Sequence, residues 1–181
     1  MSHTKELNDR LRRLKIEMVS SPWRRFPDQG VGGLTEIGYV PDSDMLLAVT
    51  STGRGLFDCL SGQRVARDRT PVEEGTWYDE VGLVAKGIGS AEEQLIRLAG
   101  LHGGGLRRSA RDGWSLELVA PDWPLQSIII QPPGHCVLIE RFADGCAKIE
   151  EDYEIRAFGF SDTGKSFVIA MSHSLLIFSR T

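Results

Sequence analysis

Leu34-Thr35-Glu36-Ile37-Gly38-Tyr39-Val40 runs into Pro41-Asp42-Ser43-Asp44, and Met45-Leu46-Leu47-Ala48-Val49-Thr50 runs into Ser51-Thr52-Gly53-Arg54-Gly55. Runs of this length, rich in apolar and β-branched residues, are strand-sized, and the Pro, Asp, Ser and Gly clusters behind them supply turn chemistry. The alternation continues outward from this stretch. After 56–58 comes Ser61-Gly62 and a strand through Val65, then runs over 80–86, 115–120, 127–131, 136–142, 155–160, 167–171 and 174–179. Short strands at such spacing predict a single mainly β domain over residues 34–181, with antiparallel sheets built from hairpin repeats. One stretch departs from the pattern. Ala91-Glu92-Glu93-Gln94-Leu95 behind Ser90 predicts a short capped helix over 90–98, or failing that another strand.

A shift of 121 residues aligns two parts of this pattern. Gly38-Tyr39 falls on Gly159-Phe160, the turn 41–44 on 162–165, the apolar run 46–49 on 167–170, Ser51 on Ser172 and Phe57 on Phe178. Each unit reads strand, polar turn, apolar strand, small-residue turn, strand carrying Phe. Repetition is expected where one unit cannot bury its own apolar face and must stack on a neighbour. Here Ile155-Arg156-Ala157-Phe158-Gly159-Phe160-Ser161-Asp162-Thr163-Gly164-Lys165-Ser166-Phe167-Val168-Ile169-Ala170 resembles the inner strands of a WD-repeat β-propeller blade. Gly55-Leu56-Phe57-Asp58-Cys59-Leu60-Ser61-Gly62-Gln63-Arg64-Val65-Ala66 resembles such a blade's outer hairpin. Neither of these segments carries the Trp-Asp or the Gly-His pair of that family. The resemblance implies a propeller-like or sandwich-like binding scaffold rather than a chemical activity.

The N-terminal segment has a different period. Leu7, Leu11, Leu14 and Met18 recur at spacings of four, three and four, which predicts an amphipathic helix over residues 1–21, with Thr4 as its cap and Ser20-Ser21-Pro22 as its stop. Such a stripe must be covered by the chain's own body, by a second copy or by a partner. Residues 22–33, with Gly30-Val31-Gly32-Gly33, read as a linker. The chain carries 21 Lys and Arg against 25 Asp and Glu, a net charge of −4, but residues 1–25 hold seven basic and three acidic groups and the remainder 14 and 22. A basic arm on an acidic body suits nucleic acid or an acidic partner, although the body would repel phosphates. No apolar run is long enough for a membrane span or a secretory signal, and the three cysteines, Cys59, Cys136 and Cys146, form no CxxC pair. A cytoplasmic chain without disulfides is expected.

Several motifs invite a chemical reading. Gly159-Phe160-Ser161-Asp162-Thr163-Gly164-Lys165-Ser166 fits the phosphate-cradling pattern G-x-x-x-x-G-K-[ST]. That loop works by opening a helix whose N-terminal amides face the phosphates, and the β-branched, aromatic run behind Lys165 predicts a strand instead. His102-Gly103-Gly104-Gly105 matches an oxyanion-hole loop, but no G-x-S-x-G elbow accompanies it, so a glycine turn before Leu106 is expected. His3, His102, His135 and His173 are scattered singly and offer no metal-ligand spacing. His135 and Cys136, adjacent on a predicted strand, point to opposite faces, and Cys136 reads as a small core residue. Glu150-Glu151-Asp152 and Glu154 read as a solvated acidic turn.

Trp23-Arg24-Arg25-Phe26-Pro27 is the one place where aromatic and basic residues interleave in a segment predicted to be irregular. Tryptophan and arginine are favoured anchors of protein interfaces. The sequence therefore predicts a small non-catalytic protein-binding or scaffold module. Its candidate partner surface comprises Leu7, Leu11, Leu14, Met18, Trp23, Arg24 and Arg25, and the partner is another protein or a second copy docking through the N-terminal helix. No cofactor is expected. A hydrolase with a site assembled from distant loops and a nucleic-acid binder using the basic arm are the alternatives.

Overall fold

The computed structural model describes residues 3–180. One helix, α1 (His3–Arg13), precedes two short strands, β1 (Arg24–Arg25) and β2 (Gln29–Gly30). Four longer strands follow, β3 (Leu34–Tyr39), β4 (Met45–Thr50), β5 (Gly53–Asp58) and β6 (Gln63–Asp68). Then come β7 (Tyr78–Asp79), β8 (Val84–Lys86), β9 (Leu95–Arg97), β10 (Ala99–Gly100), β11 (Ser115–Asp122), β12 (Leu125–Gln131) and β13 (Ala147–Asp152). The chain ends with β14 (Ile155–Phe160), β15 (Ser166–Met171) and β16 (Ser174–Ser179). These strands form four antiparallel sheets: β10-β3-β4-β5-β6, β7-β8-β9, β11-β12-β13, and β1-β16-β15-β14 with β2 also on β16. The mainly β, antiparallel expectation and the N-terminal helix hold, and among the described residues no sheet closes into a barrel.

Side-chain alternation dictates how the sheets stack. Leu47, Val49 and Leu56 face one way and pack with Trp77, Ala85, Ile96 and Leu98 of the β7-β8-β9 side. Leu46, Ala48 and Phe57 face the other way and pack with Val168, Ala170, Leu175 and Ile177. The opposite face of that last sheet, Phe167, Ile169, Leu176 and Phe178, packs on Leu116, Ile128 and Ile130. Val119 and Ile129, on the far face of the β11-β12-β13 sheet, pack under Leu11, Leu7 and Leu14 of the helical segment. The molecule is thus a row of layers with an apolar seam between each neighbouring pair, and α1 covers one end. Strands β15 and β16 are buried along their whole length because both of their faces are covered.

The 121-residue echo is a structural repeat. In the first unit Tyr39 pairs with Leu46, Gly38 with Leu47 and Leu46 with Phe57. In the second, Phe160 pairs with Phe167, Gly159 with Val168 and Phe167 with Phe178, each shifted by the same interval. Even the bulges coincide, between Leu34 and Glu36 in one unit and between Ile155 and Ala157 in the other.

The turns of the two units are joined by one side chain. Asp44, in the first turn, accepts hydrogen bonds from Ser161 Oγ at 2.7 Å, Ser166 Oγ at 2.6 Å and Thr163 Oγ1 at 2.7 Å, all around the second turn. Because Ser166 donates to Asp44, the buried Tyr39 hydroxyl donates to Ser166 Oγ, 3.2 Å away. Burial pushes the Tyr39 phenol well above its ordinary range, which keeps that donor protonated. The G-x-x-x-x-G-K-S stretch therefore forms a hairpin: β14 ends at Phe160, Gly164 takes the positive φ of 71° that the reversal needs, and β15 starts at Ser166. The hydroxyls of that motif are engaged by Asp44 rather than turned toward a ligand.

Five expectations need correction. The helix stops at Arg13 rather than near residue 21, because Ile16 bridges to Lys148 and the Glu17 N–H donates to the Lys148 carbonyl at 2.8 Å. An open strand edge thus competes with the helix for this backbone, and β-branched Ile16 and Val19 favour the extended form. The supposed linker 22–33 carries two short outer strands of the C-terminal sheet, β1 and β2, where Arg24 pairs with Ser179, Arg25 with Phe178 and Gln29 with Leu175. Residues 136–142 form a turn-rich loop, since the Gln131 side chain captures the Val137 N–H at 2.7 Å and the Cys136 N–H bonds back to the Phe142 carbonyl. The acidic residues 150–152 belong to β13, with Arg25 paired to Glu150 and Lys148 to Glu151. Over 90–98 a single 3-10 turn, Gly89–Ala91, is followed by β9, so the strand alternative applies.

Lys165→Ala should leave thermal stability unchanged, and ATP should not shift the melting temperature of either protein. Ser166→Ala, which removes a fully buried hydroxyl from Asp44, should cost about 1–2 kcal/mol in urea unfolding. An ATP-dependent shift that Lys165→Ala abolishes would contradict the hairpin assignment.

Candidate functional site

The seven residues singled out in the sequence separate into two groups. Leu7, Leu11 and Leu14 lie over the outer face of the β11-β12-β13 sheet, with Leu11 almost fully buried on Val119, Ile129 and Val137. Their apolar stripe is therefore covered by the chain's own body. Arg12 adds a clamp, donating to Asp122 at 2.8 Å and to the Pro121 carbonyl at 2.8 Å. The other four residues, Met18, Trp23, Arg24 and Arg25, converge on a groove of about 400 Å³.

That groove lies between the last two layers. One wall is the extended segment 16–19 laid along β13, with Ile149 at its base. The other wall is β1 and Phe178 of β16. Trp23 is only 3% exposed and sits edge-on to Phe167 at 4.9 Å and to Trp114 at 5.9 Å, so it fixes where β1 begins. Its indole N–H has no acceptor among the described residues. Above this floor Ile16 is 54% and Met18 94% exposed, which places two large apolar side chains in water at the rim.

Both arginines are engaged by neighbouring groups, and the Arg25 guanidinium also lies over the Phe178 ring, 5.8 Å from its centroid. Arg24 donates to Ser179 Oγ at 3.3 Å and to the Leu60 carbonyl at 3.0 Å, and its guanidinium lies over the Phe26 ring. Arg25 is paired with Asp28 and Glu150. In antiparallel pairing the backbone groups of successive residues alternate between the partner strand and the open side. Phe26 N–H bonds the Ile177 carbonyl, so the N–H and C=O of its neighbour Arg25 face away from β16 along the exposed edge. The groove thus combines an apolar floor, apolar rim residues and an unpaired strand edge.

A second polar cluster was not evident in the sequence. Glu36 on β3 is completely buried, and its Oε1 lies 2.5 Å from His102 Nδ1. Tyr78 Oη lies 3.2 Å from the same nitrogen, and Glu80 Oε1 lies 3.6 Å from His102 Nε2. Burial, then the charges of Glu36 and Glu80, push the Tyr78 phenol above its ordinary range, which keeps it protonated. The His102-Gly103-Gly104-Gly105 stretch therefore contains an anchor: His102 latches the loop to β3 and β7. Glu36 escapes a sequence reading because it occupies an inward strand position where alternation calls for an apolar residue.

Other candidates disperse. His135 bonds the Pro133 carbonyl, all three cysteines are free, and among the described residues no three His, Cys, Asp or Glu side chains gather as a metal site. Cys136 is half-buried in the loop beside the buried Val137, rather than in the core on a strand. Burial pushes the Cys146 thiol up to about 11, so it is not primed as a nucleophile. Among the described residues no helix is long and apolar enough to cross a membrane. No protein-family model matches the chain, and no curated protein matches it.

His102→Ala removes a close hydrogen-bond partner of a fully buried carboxylate and should destabilise the protein by about 2–4 kcal/mol in urea unfolding. Adding Glu36→Gln should then cost clearly less than it does alone, since the two side chains act as a pair. Additive losses would show that the latch does not exist in solution.

Proposed function

We propose that this chain is a non-catalytic protein-binding module whose groove receives an extended, apolar segment of another protein. The observation that carries this reading is the exposure of Met18 and Ile16 over a floor of Ile149, Phe178 and Trp23, beside the open edge of β1. An extended segment fits such a site in two ways. Its backbone pairs with the outward N–H and C=O of Arg25, and alternate side chains enter the apolar floor. Displacing water from Met18 and Ile16 supplies the driving force. The covered leucine stripe of α1 supports docking through this groove rather than through the helix face.

The finer fold reading accompanies this proposal. The repeated register and the face-to-face row of sheets support propeller-like, WD-repeat-like blades, a scaffold that presents loops and edges to partners. Three free cysteines favour a reducing compartment such as the cytoplasm. Two observations weigh against nucleic acid as the partner: Arg12 in the basic arm is already paired with Asp9 and Asp122, and the body is acidic.

Peptide display against the folded chain should enrich extended, apolar sequences. Met18→Asp and Ile16→Asp, both at exposed positions, should weaken the selected peptides by about tenfold or more, the loss of one apolar anchor. Their melting temperatures should stay close to that of the parent. Equal binding to these variants, or no enriched peptide, would overturn the proposal.

A further inference from the structure

A second cavity, of about 210 Å³, lies across the molecule from the groove, where β10, β14 and the β11-β12 hairpin meet. At roughly 30 Å³ per water in the liquid, that is space for about seven waters or one small molecule. Its lining is chemically divided. Leu106, Leu118, Ile155 and Phe158 make an apolar wall, and Arg108, Arg156 and the Gly104-Gly105 backbone make a polar one.

The polar wall is rich in donors and short of acceptors. Among the described residues neither Arg108 nor Arg156 donates a side-chain hydrogen bond, and the one carboxylate near either is Glu154, 3.5 Å from Arg156 Nη2. Arg156 Nε is buried without a partner. Arg108 instead lays its guanidinium over the Phe158 ring, 5.1 Å from the centroid, which holds the charged head at the wall. The N–H groups of Gly104 and Gly105 also lack an acceptor among the described residues. Gly104 is held at φ 77°, and a Cβ there would meet the Leu98 carbonyl at 2.3 Å, so only glycine lets the loop lie this close. Of the other polar groups in the lining, Gln126 Oε1 is buried with no donor.

We infer that this cavity binds a small organic phosphate, a molecule with one phosphoryl group on a compact apolar body. Two guanidinium groups match the charge of a phosphoryl dianion and can each fork two N–H donors onto its oxygens. The adjacent free glycine amides add donors without adding bulk. Leu118, Ile155 and Phe158 cover the apolar body, and Gln126 Oε1 accepts from a hydroxyl or amine on it. The site is independent of the groove, shares no lining residue with it, and can be occupied at the same time.

Calorimetric titration with phenyl phosphate, with inorganic phosphate and benzyl alcohol as comparison probes, tests this directly. Phenyl phosphate should bind saturably and inorganic phosphate more weakly, with no saturable heat from benzyl alcohol. Arg108→Gln, a change at an exposed residue, should weaken phenyl phosphate by about tenfold or more, and Arg156→Gln should do the same if it folds. Arg108→Lys should recover part of the loss, and Lys165→Gln, remote from the cavity, should change nothing. No saturable binding up to about 10 mM, a free energy near −3 kcal/mol, would overturn the inference. So would unchanged affinity in Arg108→Gln, or benzyl alcohol binding as well as phenyl phosphate.

Discussion

The carboxylate of Asp44 joins the two repeated units of this molecule. Three hydroxyls from the second turn converge on it, and a fourth, from Tyr39, is relayed through Ser166. A buried carboxylate persists only where donors replace its lost hydration, and here they come from a segment more than a hundred residues away. The turn chemistry of one unit is thus completed by the other. That pairing sets β3 beside β14 and brings the faces of the two meanders together over one apolar seam.

From that joint the remaining layers follow by the same rule. A strand with apolar residues on both faces must be covered twice, so the two central sheets each recruit an outer neighbour. Segment 24–31 closes the edge of β16, and α1 covers the last exposed sheet. Where the layers do not meet edge to edge they leave the two cavities, one between segment 16–19 and β1, the other beneath the glycine loop that carries His102. Both sites are consequences of how flat layers are joined by short connections.

Much of this was legible in the sequence. Alternation and turn residues mark β3, β4 and β14 to β16 closely, whereas Gly53-Arg54-Gly55 has turn chemistry yet opens β5, and the Gly-Lys-Ser hairpin was recognisable because Phe167-Val168-Ile169 has strand chemistry. What escaped depended on partners distant in the chain. Leu14 to Met18 keeps helical spacing, but the edge of β13 draws the backbone out straight, so Met18 reaches the groove for a reason its periodicity does not contain. Part of the linker became strand because β16 had an unpaired edge. Of the proposed contact residues, Trp23, Arg24 and Arg25 are marked by composition and Met18 only by a helical spacing it does not follow, whereas Ile16, Ile149 and Phe178 are visible only once the layers are assembled. Glu36 and the cavity arginines carry no local signature at all.

Native-state hydrogen exchange on Asp44→Asn tests the central claim most directly. The account predicts that amides in the middle of β4 and of β15, Leu47 and Ile169 among them, lose protection together and by the same free energy, because one carboxylate holds both units. Loss confined to residues 41–44, with β15 as protected as in the parent, would contradict it.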